Sequence, residues 1–118
     1  MILQQIVTIL DGGFLTRQNH RQRDVKTGCG CDLMSDVLAF IKRDALLLTG
    51  LTNAQVIRTA EMADIQAVCF VRGKKPSKEV IALAEEKDIT LLATSLPLFE
   101  ACGRLYREGL PGCSEYEG

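Results

Sequence analysis

The residues of this 118-residue chain with the chemistry to act are five cysteines, one histidine and a scatter of carboxylates. Cys29 and Cys31 alternate with Gly28 and Gly30 in "KTGCGCDLMSDV", residues 26–37. In an extended stretch both thiols point to one face, and two thiolates could join a soft metal. A closed zinc site takes four ligands and commonly C-x-x-C spacing. Here Cys113 and His20 are the only additions to hand, unless a second subunit completes the set. The other reading is structural: Cys29 and Cys31 face a packed helix, while Gly28 and Gly30 let the chain pass close on the opposite face. No metal or cofactor is assigned, and a metal or redox role for Cys29 and Cys31 stays open as the alternative.

Catalytic constellations are thin. His20 lies in the polar loop "RQNHRQRD", where a solvated side chain is the ordinary outcome, and no local signature joins it to Cys29, Cys31 or a serine. Asp32 and Asp36 are four apart, the spacing of one helix face, yet acids at a helix start are already explained by the helix dipole. "GKKPSK" lacks the first glycine of a phosphate loop, and no Ser or Thr follows its Gly-Lys pair. "GCGCDL" begins like a dinucleotide fingerprint, but Leu33 stands where the third glycine belongs. The chain is therefore read as a non-catalytic protein with no catalytic residue.

Composition narrows the partners. With 14 basic and 15 acidic residues the net charge is −1, and the pI is about 5.8. That balance supplies no long-range field to gather nucleic acid or an anionic membrane. Apolar runs such as "AVCFV" are too short to span a bilayer, and "MILQQIVTILDGG" has neither a basic start nor a cleavage site of small residues. A cytoplasmic protein with free thiols is expected.

These candidates need elements to position them. "ILQQIVTIL" places Leu3, Ile6, Val7 and Leu10 at helical spacing, with Gly12 and Gly13 as the stop. "FLT" adds a short strand, residues 17–24 form an exposed loop, and "VKTGCGC" extends. "MSDVLAFI" is a helix with Ser35 as N-cap and Asp36 in the first turn. Three strand–loop–helix units follow. "ALLLT", "AVCFV" and "TLLAT" are the strands; "NAQVIRTAEMAD", "SKEVIALAEEKD" and "PLFEACGRLYREG" are the helices. The last is expected to turn Leu98, Phe99, Cys102, Leu105 and Tyr106 inward. Apolar runs without alternation are strands covered on both faces, so the fold class is α/β with an open, mostly parallel sheet flanked by helices. Residues 1–110 make one domain, and 111–118, rich in Gly, Pro and acid, a flexible tail.

In such a sheet, ligands settle outside the carboxyl ends of the strands. "TGLTN" (49–53), "RGKKPS" (72–77) and "TSLP" (94–97) occupy those positions. Asn53, Ser77 and Ser95 are read as N-caps, with Pro97 early in its helix. As a set, the free N–H groups of several helix starts beside Arg72, Lys74 and Lys75 suit a phosphate or carboxylate. The expected ligand site joins the glycine-bearing strand to Thr49, Asn53, Arg72, Lys74, Thr94 and Ser95. An unpaired sheet edge, or that strand, would make a homodimer interface.

From "DVKTGCGCDLMSDVLAFIKRDALLLTGLTN" through "ADIQAVCFVRGKKPSKEVIALAEEKDITLLATSLPLFEACGRL" the chain resembles the DRTGG domain family. The telling pieces are "DLMSDVLAFI", the apolar strand after it, P-x-x-E-V-x-x-x-A-E-E ahead of "DITLLAT", and "FEACGRLY". Such domains look like the N-terminal domain of HPr kinase/phosphorylase and occur in phosphotransacetylase-type proteins, some beside CBS domains. The resemblance implies a Rossmann-like α/β sandwich and a regulatory module without demonstrated chemistry, and the ligand expected at the strand-end site is an anionic or nucleotide-like metabolite. It also suggests a link to iron-only hydrogenase or another enzyme of central energy metabolism; a protein-interaction domain without a small ligand is a further alternative. The name-giving motif reads Asp24-Val25-Lys26-Thr27-Gly28 here, without its arginine and second consecutive glycine. Any ligand contacts of that motif fall to Asp24, Thr27, Gly28 and Gly30.

Overall fold

The computed structural model describes residues 1–18 and 20–114. Their elements, in chain order, are α1 (Leu3–Leu10), β1 (Gly13–Phe14), β2 (Thr27–Gly30), α2 (Met34–Phe40), β3 (Ala45–Thr49), α3 (Ala54–Met62), β4 (Ala67–Phe70), α4 (Lys78–Glu86), β5 (Thr90–Ala93) and α5 (Leu98–Arg107). The sheet runs β1-β5-β4-β3-β2. Four strands are parallel, and β1 alone is antiparallel, pairing Gly13 with Ala93 and Phe14 with Leu92. This is the mostly parallel α/β sheet expected from the unbroken apolar runs.

Every residue of β3 and β4 is buried, so both faces of the sheet must be covered. From β2 to β5 each crossover steps one strand in the same direction. Right-handed crossovers then force α2, α3 and α4 onto a single face. They bury Val37, Val56, Ile57, Ala60 and Ala84 against Leu47, Val68, Phe70 and Leu91. The other face is left to α1 and α5, which set Leu3, Ile6, Leu10, Ala101 and Leu105 on Leu46, Leu48, Cys69 and Leu92. Alternate strand residues thus divide between two cores.

Capping is as expected at two helices. Asn53 Oδ1 accepts the Gln55 N–H at 3.1 Å, and Ser77 Oγ that of Val80 at 3.3 Å. Two other expectations are corrected. Ser35 lies inside α2, whose N-cap is Leu33; Ser95 stands two residues before Pro97, the N-cap of α5. Neither Leu33 nor Pro97 brings a side-chain cap bond, since neither side chain carries an acceptor; each contributes only its carbonyl, which takes Val37 N–H at 3.1 Å and Ala101 N–H at 2.9 Å.

The end of α1 also differs in detail. Asp11, not a glycine, takes the left-handed position with φ 50°, a conformation Asp tolerates. Gly12 serves another need: a Cβ there would lie 2.3 Å from Ala93 O. It lets the α1–β1 turn press against β5. On α5, Phe99 and Tyr106 point outward, 88% and 71% exposed, against the inward orientation expected. The core stripe is Leu98, Ala101, Cys102 and Leu105, and Phe99 and Tyr106, seven apart, share a flank about 90° from it. Beyond α5, Leu110 is buried, and Gly28 N–H donates to Pro111 O at 2.9 Å, so the segment expected as a tail starts with a backbone contact to β2. Residues 115–118 of that tail lie outside the described residues. Among the described residues no helix is long and apolar enough to cross a membrane.

Gly12→Ala should lower unfolding free energy by about 1–3 kcal/mol, since backbone must move to admit the methyl group. Gly13→Ala, whose added Cβ meets nothing within 4 Å, should stay within about 0.5 kcal/mol of the parent. Urea unfolding of both variants checks this, and equal losses would contradict it.

Candidate functional site

Adjacent strands β4 and β5 send the chain in opposite directions. Residues 71–77 lead from β4 to α4 on one face, and 94–97 lead from β5 to α5 on the other. Diverging connections leave a crevice at the carboxyl ends of such strands. The cleft here measures about 300 Å³, and Gly12, Gly13, Gly73, Lys75, Thr94 and Ser95 are in its lining. Its two banks are stitched together, Arg72 N–H to Leu96 O at 2.8 Å and Gly73 N–H to Thr94 O at 2.9 Å. Arg72 has φ 60° and Gly73 φ 70°. A left-handed arginine costs about 1–2 kcal/mol relative to its usual basin, and the backbone bonds to 94 and 96 hold it there.

The expected site residues divide among several places. Thr94 and Ser95 line the cleft, while Arg72 and Lys74 are exposed chain neighbours of the lining residues Gly73 and Lys75. The Thr94 hydroxyl is already committed: it donates to Leu10 O at 2.7 Å and accepts the Leu96 N–H at 3.2 Å. Thr49 repeats the device, donating to Asp32 Oδ1 at 2.7 Å and accepting the Leu51 N–H at 3.2 Å. Asp32 also accepts Gly50 N–H at 2.8 Å, so it ties the end of β2 to the end of β3. It precedes α2, which starts at Met34, and shares no helix face with Asp36. Asn53 caps α3.

Asp24 and Thr27 lie at the opposite, amino end of the sheet. The Asp24 carboxylate takes Lys26 Nζ and the Met1 amine; these cations, Lys26 first, hold its pKa at about 2. The Thr27 hydroxyl is buried with no partner among the described residues. At the same end His20 Nε2 meets Asp88 Oδ1 at 2.7 Å and Arg23 binds the other carboxylate oxygen. His20, then Arg23, keep the Asp88 carboxyl below its ordinary range. The histidine is anchored to Asp88, just ahead of β5, which lies three strand spacings from β2 and its thiols.

Gly28 and Gly30 sit on the outer strand, three strand spacings from β5, or about 14 Å. Cβ atoms there would lie 3.1 Å from Leu110 Cδ2 and 2.5 Å from Cys102 Sγ, so the glycines let α5 and its C-terminal extension close on β2. Cys29 and Cys31 take the other face and pack with the α2–α4 layer. The alternation is a packing pattern, glycine toward α5 and thiol toward α2. Among the described residues no three His, Cys, Asp or Glu side chains are grouped to hold a metal. Burial, then Cys113, pushes the Cys29 thiol up to about 12. Between β2 and α5 remains an apolar trough of about 350 Å³, walled by Leu48, Cys102, Leu105 and Leu110 with Phe99 and Tyr106 at its lip.

The loop at 72–77 that carries Gly73 is expected at the site from the sequence, whereas nothing in the sequence points to Gly12 and Gly13 there. A two-residue antiparallel strand leaves almost no signal; the Gly-Gly pair after α1 is the one hint of a close backbone approach.

The model of the DRTGG domain family matches residues 5–107. Among solved structures, the chain is similar to the crystal structure of the CBS and DRTGG domains of the regulatory region of Clostridium perfringens pyrophosphatase complexed with its activator, diadenosine tetraphosphate. The TM-score is 0.69 at 20% identity, over 93% of this chain and 47% of that one. The chain thus spans about half the length of that neighbour, and at this identity the likeness establishes the fold. None of the curated proteins matches.

Two measurements follow. The Asp24 pKa is about 2 in the folded chain against an ordinary 3.8, so its ion pairs stabilise the fold above about pH 4 and are lost as pH falls from there toward 2. Asp24→Asn should flatten the stability–pH curve in that window, as read by urea unfolding from pH 2 to 5; an unchanged slope would contradict the assignment. Thr49→Val leaves the Leu51 N–H without its acceptor and should cost about 1–3 kcal/mol, whereas a neutral result would show that Asp32 does not depend on it.

Proposed function

The chain belongs to the DRTGG domain family, and from that premise we propose that it is a non-catalytic regulatory module taking an anionic, nucleotide-like ligand in the cleft beside β4 and β5. One observation carries this reading: the connections from β4 and β5 part to opposite faces and leave glycine backbone and Lys75 around an open cleft. Its volume of about 300 Å³ lies at the lower end of small-ligand sites. Gly12, Gly13 and Gly73 present no side chain to hold a ligand off, and Lys75 in the lining, with Arg72 and Lys74 as its exposed chain neighbours, offers cations for phosphate or carboxylate against the single Asp11 carboxylate of the same lining. The nucleotide class is suggested by the solved neighbour, a regulatory region whose activator is a dinucleotide.

A non-catalytic role agrees with the state of the reactive groups. The histidine is held by Asp88, and the Cys29 thiol, pushed up to about 12, is a poor nucleophile at neutral pH. A second copy of the chain is the partner proposed for the β2 side of the sheet, where Phe99 and Tyr106 stand exposed on α5 and Leu33 just before α2, while the β2 edge itself is already met at Gly28 by residues 111–112. Association with an iron-only hydrogenase or another metabolic enzyme is proposed on the family resemblance alone, and a cytoplasmic setting on the short apolar runs, the lack of a signal-peptide pattern and the odd cysteine count.

Thermal-shift titration with adenine nucleotides, diadenosine tetraphosphate and acyl phosphates tests the ligand. A binder at a hundredfold excess over its dissociation constant stabilises by about 2.7 kcal/mol. Lys75→Ala and the cleft-filling Ser95→Leu should each weaken that binding at least about tenfold, or 1.4 kcal/mol. Silence across the panel with folded protein, or binding indifferent to both substitutions, would overturn the proposal.

A further inference from the structure

Four of the five thiols gather around β2, and the strand register sets one pair of them directly opposite each other. Gly28 pairs in parallel with Gly112 and donates its N–H to Pro111 O at 2.9 Å. That register sets Cys29 opposite Cys113, and the Cys113 thiol is near enough to help push the Cys29 thiol up. Opposed residues on neighbouring strands stand about 4.8 Å apart, inside the Cα separation of about 4.4–6.8 Å that a disulfide spans. Cys29 and Cys31 are separated along an extended strand by about 6.6 Å, too far for the Cβ–Cβ distance of about 3.5–4.5 Å in a bridge. The Cys31 sulfur is also turned to the start of α2, accepting Leu33 N–H at 3.4 Å. Cys102 lies across the sheet, against the glycine face, and Cys69 is buried in β4.

We propose that Cys29 and Cys113 form a reversible disulfide that straps residues 110–113 onto the outer edge of β2. The oxidant class is a small-molecule disulfide such as glutathione disulfide. The Cys113 thiolate attacks one sulfur of the oxidant and releases one glutathione thiolate, leaving a mixed disulfide. Cys29 then gives its proton to solvent and attacks the Cys113 sulfur, expelling the second glutathione. Two cysteine thiols are oxidised and one external disulfide is reduced. Burial keeps Cys29 protonated, which assigns the first attack to Cys113 and makes ring closure the slow step. Leu110, Pro111 and Gly112 form one wall of the apolar trough, so the bond fixes that wall and covers the Gly28 end of the edge. A reducing agent frees both.

The test treats the full chain with glutathione disulfide under native conditions, maps the bridge by non-reducing peptide mass spectrometry, and follows amide exchange at Gly28. The expected product has lost two hydrogens, carries a Cys29–Cys113 bridge, and exchanges the Gly28 amide at least about tenfold more slowly than the reduced chain. Cys113→Ser, on the strap outside both cores, should abolish the bridge without unfolding the protein, while Cys31→Ser and Cys102→Ser retain it. A bridge between any other pair, a mixed disulfide that persists on Cys113, or unchanged Gly28 exchange would overturn the proposal.

Discussion

The molecule is organised by the complete burial of its central strands. With β3 and β4 closed to water along their whole length, no functional group can stand on a sheet face, and chemistry is confined to strand ends and the outer edge. Three crossovers stepping in one direction commit α2, α3 and α4 to one side. The second face then has to be covered by the only helices left, α1 before the first strand and α5 after the last. The change of side after β5 follows from this requirement, and the cleft beside Gly73 and Ser95 is its by-product.

The outer strand obeys a related constraint. α5 must cover the end of the sheet at β2, and two missing Cβ atoms let it come close enough. The same closeness explains why thiols occupy the alternate positions, since small apolar side chains suit a strand whose far face is capped by short α2. Phe99 and Tyr106 are left over by this packing, outside the stripe that α5 buries, and they set the apolar character of the trough.

How far the sequence disclosed this depends on the kind of signal. Unbroken runs such as Ala45–Thr49 announce a doubly covered strand because burial acts on every residue, and Asn53 and Ser77 announce helix starts because a local bond suffices. Ser35 and Ser95 misled because capping preference is a tendency of residue types, while the helices at Met34 and Leu98 begin where packing puts them. Phe99 and Tyr106 misled because five apolar residues on α5 exceed one stripe, and the small Ala101 takes the central position. The proposed single site spanning Gly28 to Ser95 required strand order, which no local pattern encodes: β2 and β5 end up with two strands between them. Long-range register of this kind also hid the opposition of Cys29 and Cys113.

Glycine amides mark both the cleft and the trough, so an amide chemical-shift titration with diadenosine tetraphosphate and adenine mononucleotides distinguishes them directly. The account predicts saturable shifts at Gly12, Gly13, Gly73 and Ser95 with Gly28, Gly30 and Gly112 unmoved. Shifts confined to the latter three, or none at any concentration that leaves the protein folded, would contradict a ligand site at the parting of β4 and β5.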